Sequence, residues 1–208
     1  MTPRGKFITL EGIEGVGKST HCAFIAATLR ELGHSVVTTR EPGGTALGEA
    51  IRDLLLDNSR PTMAALSELL LIFAARAEHL ARVIEPALRA GEWVLSDRFT
   101  DATYAYQGGG RALAVSSIQA LEALVQQNLQ PDLTLLLDAP VTLALGRARA
   151  RAQADRFESE RAEFFERVRR AYLDLAQAQP GRFRIIDAAP ALEQVQICLR
   201  QVLAREFT

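Results

Sequence analysis

A glycine-rich segment near the N-terminus has the residue types and the spacing of a phosphate-binding site. Residues 12–19 read Gly-Ile-Glu-Gly-Val-Gly-Lys-Ser and fit the pattern GxxxxGKS/T. Glycines let successive backbone N–H groups converge on phosphate oxygens, and the start of a helix adds partial positive charge. Lys18 is expected to reach the β- and γ-phosphates of a nucleotide, and the Ser19 hydroxyl to bind Mg²⁺. This phosphate loop therefore predicts binding of a nucleoside triphosphate rather than a plain strand-to-helix turn.

The loop must be positioned by a strand before it and a helix after it, and the chain supplies both. A β-favouring run at 7–11 leads into the loop, and a stretch with helical periodicity follows from 18 to 32. Four further runs are expected to be strands, at 35–39, 93–96, 133–137 and 183–186. Short strands that alternate with helices are typical of an α/β fold with a parallel sheet covered on both faces.

Glycines and prolines mark the ends of these elements. The longest helical stretch, 61–90, contains Pro86 as a kink or boundary and stops at Gly91. The run 108–110 consists of three glycines, and it predicts a loop whose backbone turns sharply or approaches another group closely.

Length and composition are those of an ordinary globular chain. The 208 residues, 48% hydrophobic and 24% charged, predict one domain over 1–208. No uncharged run approaches the roughly 18 to 20 residues of a bilayer span, so neither a membrane span nor a secretory signal is expected. A net charge of −1 argues against stable nucleic-acid binding. Cys22 and Cys198 are expected to be buried, reduced thiols of a cytoplasmic protein, and His21, His34 and His79 to be structural.

A phosphate loop alone does not name a reaction. A GTPase would carry an NKxD-type guanine motif, which is impossible here because Lys6 and Lys18 are the only lysines. A nucleic-acid motor would need more chain and a basic face. The residues considered so far leave two classes open: a small phosphotransferase, and a nucleotide-binding module that performs no chemistry.

Further sequence blocks accompany the loop in a characteristic order. The loop with its flanks, 11–20, is followed by Thr-Arg-Glu-Pro-Gly-Gly-Thr at 39–45. The later blocks are FAAR at 73–76, SDRF at 96–99, AYQGGGR at 105–111, PDLTLLLD at 131–138 and IDA at 186–188. In this order they resemble the bacterial thymidylate kinase family over nearly the whole chain. The resemblance implies a P-loop NTPase fold with five parallel strands and a lid, phosphorylation of dTMP to dTDP by ATP with Mg²⁺, and a homodimer.

The acceptor that this resemblance implies is a phosphate monoester, which is mostly a dianion at pH 7. No general base is then needed, and catalysis should consist of positioning and positive charge. By resemblance, Arg52 and Arg98 clamp the dTMP phosphate, which suits bidentate guanidinium geometry. Asp97, at the end of a predicted strand, resembles the carboxylate that holds Mg²⁺ waters or arginine side chains.

The resemblance also implies a lid at about 147–157 that closes over ATP. Some relatives carry an arginine in the loop where this chain has Gly15, so the lid is expected to supply the catalytic guanidinium. The expected catalytic residues are Lys18, Arg98, Arg149, Arg151 and Arg156. The expected ATP-binding residues are Gly12, Glu14, Gly15, Val16, Gly17, Lys18, Ser19, Thr20 and Arg147.

Recognition of thymine and deoxyribose is likewise implied by resemblance. Arg76 resembles the residue that bonds thymine O4, while Thr103, Tyr106 and Gln107 resemble contacts near the base edge. Glu14 is expected to receive the 3′-hydroxyl, and Phe157 to pack near C2′. Many relatives have a stacking aromatic four residues before the arginine, where this chain has Ile72. Phe73, three residues before it, is expected either to stack on thymine or to pack in the core.

Two rival functions stay open. One is a related phosphotransferase with a different acceptor, either another nucleoside monophosphate or a deoxynucleoside. A free nucleoside would require a carboxylate near Asp97 to act as a base. The other is a nucleotide-responsive binding module, which would need neither lid arginines nor an acceptor pocket.

Overall fold

A parallel five-stranded sheet forms the centre of the computed structural model, which describes residues 3–59, 63–150, 156–157 and 160–207. The strands are β1 (Phe7–Glu11), β2 (Val36–Arg40), β3 (Trp93–Asp97), β4 (Leu133–Asp138) and β5 (Phe183–Asp187). Their order is β2-β3-β1-β4-β5, and every neighbouring pair is parallel. The predicted α/β fold with five parallel strands is confirmed, and each predicted strand lies within one residue of its observed bounds.

Helices cover both faces of the sheet. They are α1 (Lys18–Glu31), α2 (Ala46–Leu56), α3 (Ala65–His79), α4 (Glu85–Arg89), α5 (Thr100–Thr103), α6 (Val115–Gln126), α7 (Val141–Arg149), α8 (Ala162–Ala178) and α9 (Leu192–Phe207). Side chains alternate along β1, so that Ile8 and Leu10 enter one core cluster and Phe7 enters another. Because both faces are buried, every residue of β1 is buried, and β1 ends beneath the phosphate loop.

The predicted helical stretch before Gly91 is interrupted earlier than expected. α3 is followed by a π-helical turn, Leu80–Ile84, and α4 continues from Glu85. Pro86 has no N–H, and its ring would collide with the Arg82 carbonyl in a regular α-helix, so the helix widens before the proline rather than at it.

The expected loop at 108–110 is wrong, although its close approach to another element is correct. These glycines end a π-helical segment, Tyr104–Gly110, that packs on α8. A Cβ added at Gly109 would lie 2.7 Å from Cβ of Ala171, and one at Gly110 would lie 2.5 Å from the ring of Phe164. The glycines therefore let two helical backbones approach.

The two cysteines are less buried than the sequence predicts. Cys22 and Cys198 are free, but both are partly exposed rather than buried. Burial, with a smaller contribution from Asp97, raises the pKa of the Cys22 thiol to about 11, so this thiol is protonated at neutral pH.

Among the residues that the structure describes, no helix is both long and apolar enough to cross a membrane.

Candidate active site

A cavity of about 290 Å³ opens at the carboxyl edge of the sheet, where β1 and β3 end. Open parallel sheets bind ligands at this edge. The expected site residues that line it are Glu14, Gly15, Gly17, Lys18, Ser19, Arg52, Arg76, Asp97, Arg98, Thr103, Tyr106, Gln107 and Phe157. The expected residues that do not line it are Gly12, Val16, Thr20, Phe73, Arg147, Arg149 and Arg156, while Arg151 lies outside the described residues. Most of the residues expected from separate sequence blocks therefore meet in one cavity.

The phosphate loop joins β1 to α1 and forms one end of the cavity. Gly15 has φ of 79°, and an added Cβ would lie 1.8 Å from the carbonyl oxygen of Ala144, so a larger residue does not fit there. The Lys18 ammonium is buried and donates hydrogen bonds to the carbonyl oxygens of Gly12 at 3.0 Å and Ile13 at 2.9 Å. Burial, reinforced by the nearby Arg98, lowers the pKa of Lys18 to about 8. The loop thus concentrates positive charge where phosphates would bind.

Arg98 lies at the centre of the cavity, directly after β3. Its φ of 71° is uncommon for a residue other than glycine, and such backbone strain is concentrated at functional sites. Its guanidinium donates to Glu14 at 2.8 Å, to the Tyr106 hydroxyl at 3.0 Å and to the Tyr172 hydroxyl at 3.3 Å. The guanidinium is therefore held between the phosphate loop and α8.

Asp97 and Arg52 lie in the wall beside Arg98. The Oδ1 atom of Asp97 is buried and receives no hydrogen bond from any described residue. Arg52, on α2, donates to the carbonyl oxygen of Pro42 at 2.9 Å. Burial, followed by repulsion from Arg40, lowers the pKa of Arg52. This wall combines an unpartnered carboxylate oxygen with cations, which is suited to a metal ion and a phosphate.

The opposite end of the cavity is organised around Arg76, which is 1% exposed. Arg76 Nε donates to Glu41 at 2.7 Å and Nη2 donates to the Thr103 hydroxyl at 2.9 Å, while Nη1 has no partner among the described residues. His79 Nδ1 lies 3.0 Å from the other Glu41 oxygen, and its Nε2 lies 2.6 Å from the Thr39 hydroxyl. Arg76 is thus fixed on two sides and presents one unsatisfied donor.

Glu41 is a cavity residue that sequence reasoning missed, whereas buried His79, which contacts Glu41, agrees with the structural role expected for it. Glu41 was visible within the block at 39–45, yet nothing local indicated that it would pair with an arginine 35 positions later. The pairing follows from α3 packing against the end of β2, which is a tertiary contact.

Ile72, rather than Phe73, lines the cavity. Ile72 lies four residues before Arg76 on α3 and shares its face, while Phe73 is rotated toward Leu69 and Ile118 in the core. The Phe73 ring instead packs on Arg76, whose guanidinium carbon lies 4.7 Å from the centroid of the ring. This arrangement favours the core-packing alternative for Phe73 over stacking on a base.

The described lid residues have different partners. Arg147 donates to the carbonyl oxygens of Ala188 at 2.6 Å and Ala189 at 2.8 Å. Arg156 donates to the carbonyl oxygen of Leu55 at 2.7 Å and pairs with Glu68 at 2.5 Å. Arg149 is exposed in the last turn of α7, directly after Ala148 in the cavity wall. In this conformation the described lid arginines therefore share neither a binding partner nor a common position at the cavity.

A buried carboxyl group underlies Arg98. Glu11 ends β1, is 0% exposed, and accepts hydrogen bonds of 2.7 Å each from the Phe99 N–H and the Tyr172 hydroxyl. Burial, followed by repulsion from Asp101, raises the pKa of Glu11 to about 8. At neutral pH this carboxyl group is therefore largely protonated in the folded chain and ionised in the unfolded chain.

The raised pKa of Glu11 predicts a pH-dependent loss of stability. As pH rises from about 4.5 to about 8, the unfolded chain ionises Glu11 while the folded chain keeps it protonated, so the free energy of unfolding falls. A Glu11→Gln variant lacks this titration. Its Tm should therefore rise relative to wild type by about 10 °C between pH 5 and pH 9, since about three pH units of this linkage amount to about 4 kcal/mol and 1 kcal/mol shifts Tm by about 2–4 °C in a domain of this size.

Calorimetric melting curves at both pH values measure this difference. Glu31→Gln, at an exposed position on α1, is the matched control and should track wild type. A constant Tm difference between Glu11→Gln and wild type over this range would contradict the prediction.

Comparisons with known proteins identify relatives over nearly the whole chain. A family model described as thymidylate kinase matches residues 10–197. The thymidylate kinase of Pseudomonas syringae pv. syringae is 59% identical over 199 residues, covering 96% of this chain and 95% of that protein. The thymidylate kinase of Nitrosospira multiformis is 58% identical over 203 residues, covering 97% and 98%. The crystal structure of thymidylate kinase from Ehrlichia chaffeensis aligns with a TM-score of 0.79 at 35% identity, covering 97% of this chain and all of that one.

Proposed function

Because the chain belongs to the thymidylate kinase family and is a phosphotransferase that acts on dTMP, we propose that it transfers the γ-phosphoryl group of ATP, with Mg²⁺, directly to dTMP. The observation that carries the proposal is the cavity itself. The phosphate loop with Lys18 lies at one end, and Arg76 with an unsatisfied donor lies at the other. One site of this kind holds a donor phosphate and an acceptor base at the same time.

The donor end fits a triphosphate. The loop N–H groups and the Lys18 ammonium receive the β- and γ-phosphates, and exposed Ser19 lies beside them in the first turn of α1. Arg147, on α7, donates to the carbonyl groups at 188–189, and this segment is proposed to contact the nucleoside of ATP.

The residues present fit a magnesium ion held mainly by phosphates. Within the described ranges, no group of three or more His, Cys, Asp or Glu side chains could hold a metal by itself. Ser19 and the unpartnered Oδ1 of Asp97 offer one hydroxyl and one carboxylate, which is the kind of sparse set that Mg²⁺ takes with nucleotides. When bound, the ion would neutralise charge on the β- and γ-phosphate oxygens.

The acceptor end accounts for the reaction without a general base. Arg76 Nη1 is a donor suited to thymine O4, and Arg98 and Arg52 are suited to the dTMP phosphate. An oxygen of the dTMP phosphate, already a dianion, forms a bond to the γ-phosphorus as the bond from that phosphorus to the bridging oxygen breaks. ADP leaves and dTDP forms, with Lys18, Arg98 and the lid arginines offsetting the charge.

A panel of acceptors tests this assignment. ADP release from MgATP is measured with dTMP, dUMP, dCMP, dGMP and thymidine at equal concentration. We expect turnover with dTMP to be highest, because Arg76 offers a donor that matches the O4 acceptor of thymine and opposes the amino group of cytosine. A preference for dCMP would contradict the base contacts, whereas a preference for dUMP would leave them intact because uracil carries the same O4 acceptor. A preference for thymidine would indicate the rival that needs a carboxylate base.

The assembly and location of the enzyme are part of the proposal. We propose a homodimer, which is supported by Leu66 and Leu70 on one face of α3, 54% and 49% exposed. Sedimentation equilibrium of wild type against Leu70→Glu measures this association. A cytoplasmic location is supported by the two free cysteines, since thiols stay reduced in that compartment.

A further inference from the structure

Glu68 is a buried carboxylate that lies behind the acceptor end of the cavity. It is 0% exposed and lies on the α3 face that also carries Ile72 and Arg76, at successive spacings of four residues. Glu68 itself does not line the cavity, so no direct contact with a substrate accounts for it.

Three side chains from outside α3 donate to this carboxylate. Gln107 Nε2 donates to Oε1 at 2.8 Å, Arg111 donates to the same oxygen at 3.3 Å, and Arg156 donates to Oε2 at 2.5 Å. Glu160 also pairs with Arg111, so the cluster contains two carboxylates and two guanidinium groups. All three partners donate, so the Glu68 carboxylate acts here only as a hydrogen-bond acceptor.

An acceptor-only partner determines which way the Gln107 amide faces. The NH₂ group must point at Glu68, and the amide oxygen is then directed away from it. Gln107 lines the cavity, and no described residue donates to its Oε1. Gln107 and Arg76 both line the cavity, and they bring to it an amide oxygen without a described donor and an Nη1 donor without a described partner.

We propose that Glu68 is a positioning residue for base selectivity, because it locks the Gln107 amide with its oxygen toward the base. Thymine offers an N3–H donor and an O4 acceptor, which complement the Gln107 amide oxygen and the Arg76 Nη1 donor. Cytosine offers an N3 acceptor and an amino donor, which oppose both. Glu68 thus contributes to rejection of dCMP without touching the nucleotide, and this role rests on the proposed contact of Gln107 with the base.

The ratio of kcat/KM for dTMP to kcat/KM for dCMP tests the proposal. In Glu68→Gln, the new side chain can donate or accept, so the Gln107 amide is free to turn its NH₂ toward the base. We expect the ratio to fall about tenfold or more, mostly through a higher kcat/KM for dCMP. The reason is that the Gln107 amide no longer has to present its oxygen to the N3 acceptor of cytosine. Glu160→Gln removes a charge from the same cluster without touching Gln107, and it should keep the ratio within about twofold.

A double-mutant cycle separates positioning from general damage. If Glu68 acts through Gln107, then adding Glu68→Gln to Gln107→Ala should change the ratio by less than about twofold. Should Glu68→Gln fail to fold, Glu68→Asp keeps the charge but withdraws the carboxylate by one methylene, and it should still lower the ratio.

Several outcomes would overturn the inference. These are an unchanged ratio in folded Glu68→Gln or Glu68→Asp, an equal loss in Glu160→Gln, or additive effects in the cycle. Wild-type enzyme that prefers dCMP would contradict the proposed function itself. A dTMP-selective wild type with an unchanged Glu68→Gln ratio would contradict only the role of Glu68.

Discussion

Replacing Lys18 with methionine should lower kcat by about a thousandfold or more, because the ammonium stabilises charge on the transferring phosphoryl group in a buried site. The same change should leave the fold at least as stable as wild type. The pKa of Lys18 is lowered to about 8, so below that pH the folded chain bears the cost of a desolvated charge. Methionine removes that cost while keeping the apolar part of the side chain. Turnover with MgATP and dTMP and the Tm at pH 7 are the two measurements.

Lys6→Met is the matched control, since Lys6 is the only other lysine. Its side chain is 49% exposed and pairs with Asp132, far from the cavity. Both kcat and Tm should stay near wild type in this variant. Retained turnover in Lys18→Met, or a Tm several degrees below wild type, would contradict the reading of Lys18 as a buried catalytic cation.

Arg149→Ala should lower kcat by about a thousandfold while changing the ATP dissociation constant by less than about fivefold. A guanidinium that meets the phosphoryl group mainly in the transition state affects turnover more than ground-state binding. Among the described lid arginines, Arg147 bonds the backbone at 188–189 and Arg156 pairs with Glu68. Arg149 is exposed at the end of α7, next to the cavity wall, so we propose it as the donor of this charge.

Single-turnover rates and equilibrium ATP binding separate the two effects. Arg82→Ala is the control, because Arg82 is 72% exposed and its ion-pair partner among the described residues is Glu78, four positions earlier. A parallel loss of ATP affinity in Arg149→Ala would make that residue a ground-state contact. Turnover equal to wild type in Arg149→Ala would indicate that Arg151 or Arg156 supplies this charge instead.

The local elements of this protein were predictable because their signals are short-range. Strands buried on both faces are continuous apolar runs, which is why β1 and β4 were found within one residue. The phosphate loop was evident because its pattern requires glycine at Gly12 and Gly17, where φ is 136° and 92° and other residues rarely fit. The chemistry of the donor end was therefore determined by a few consecutive residues.

At the acceptor end, the partners of the site residues could not be predicted from local sequence. Arg76 and Gln107 were identified by resemblance, yet their partners Glu41 and Glu68 were not. Each partner lies at least 35 residues away along the chain. The face of α3 that reaches the cavity was also ambiguous, since Ile72 and Phe73 are adjacent and both lie one turn from Arg76.

The sequence by itself determined the parallel sheet, the phosphate loop and the set of arginines that could serve phosphoryl transfer. Only the tertiary structure decided which donors of the described residues remain unsatisfied, which way the Gln107 amide faces and which of the described lid arginines is exposed. The reason is physical: a strand or a glycine turn depends on neighbours along the chain, whereas the orientation of a buried polar group depends on the partners that packing brings to it.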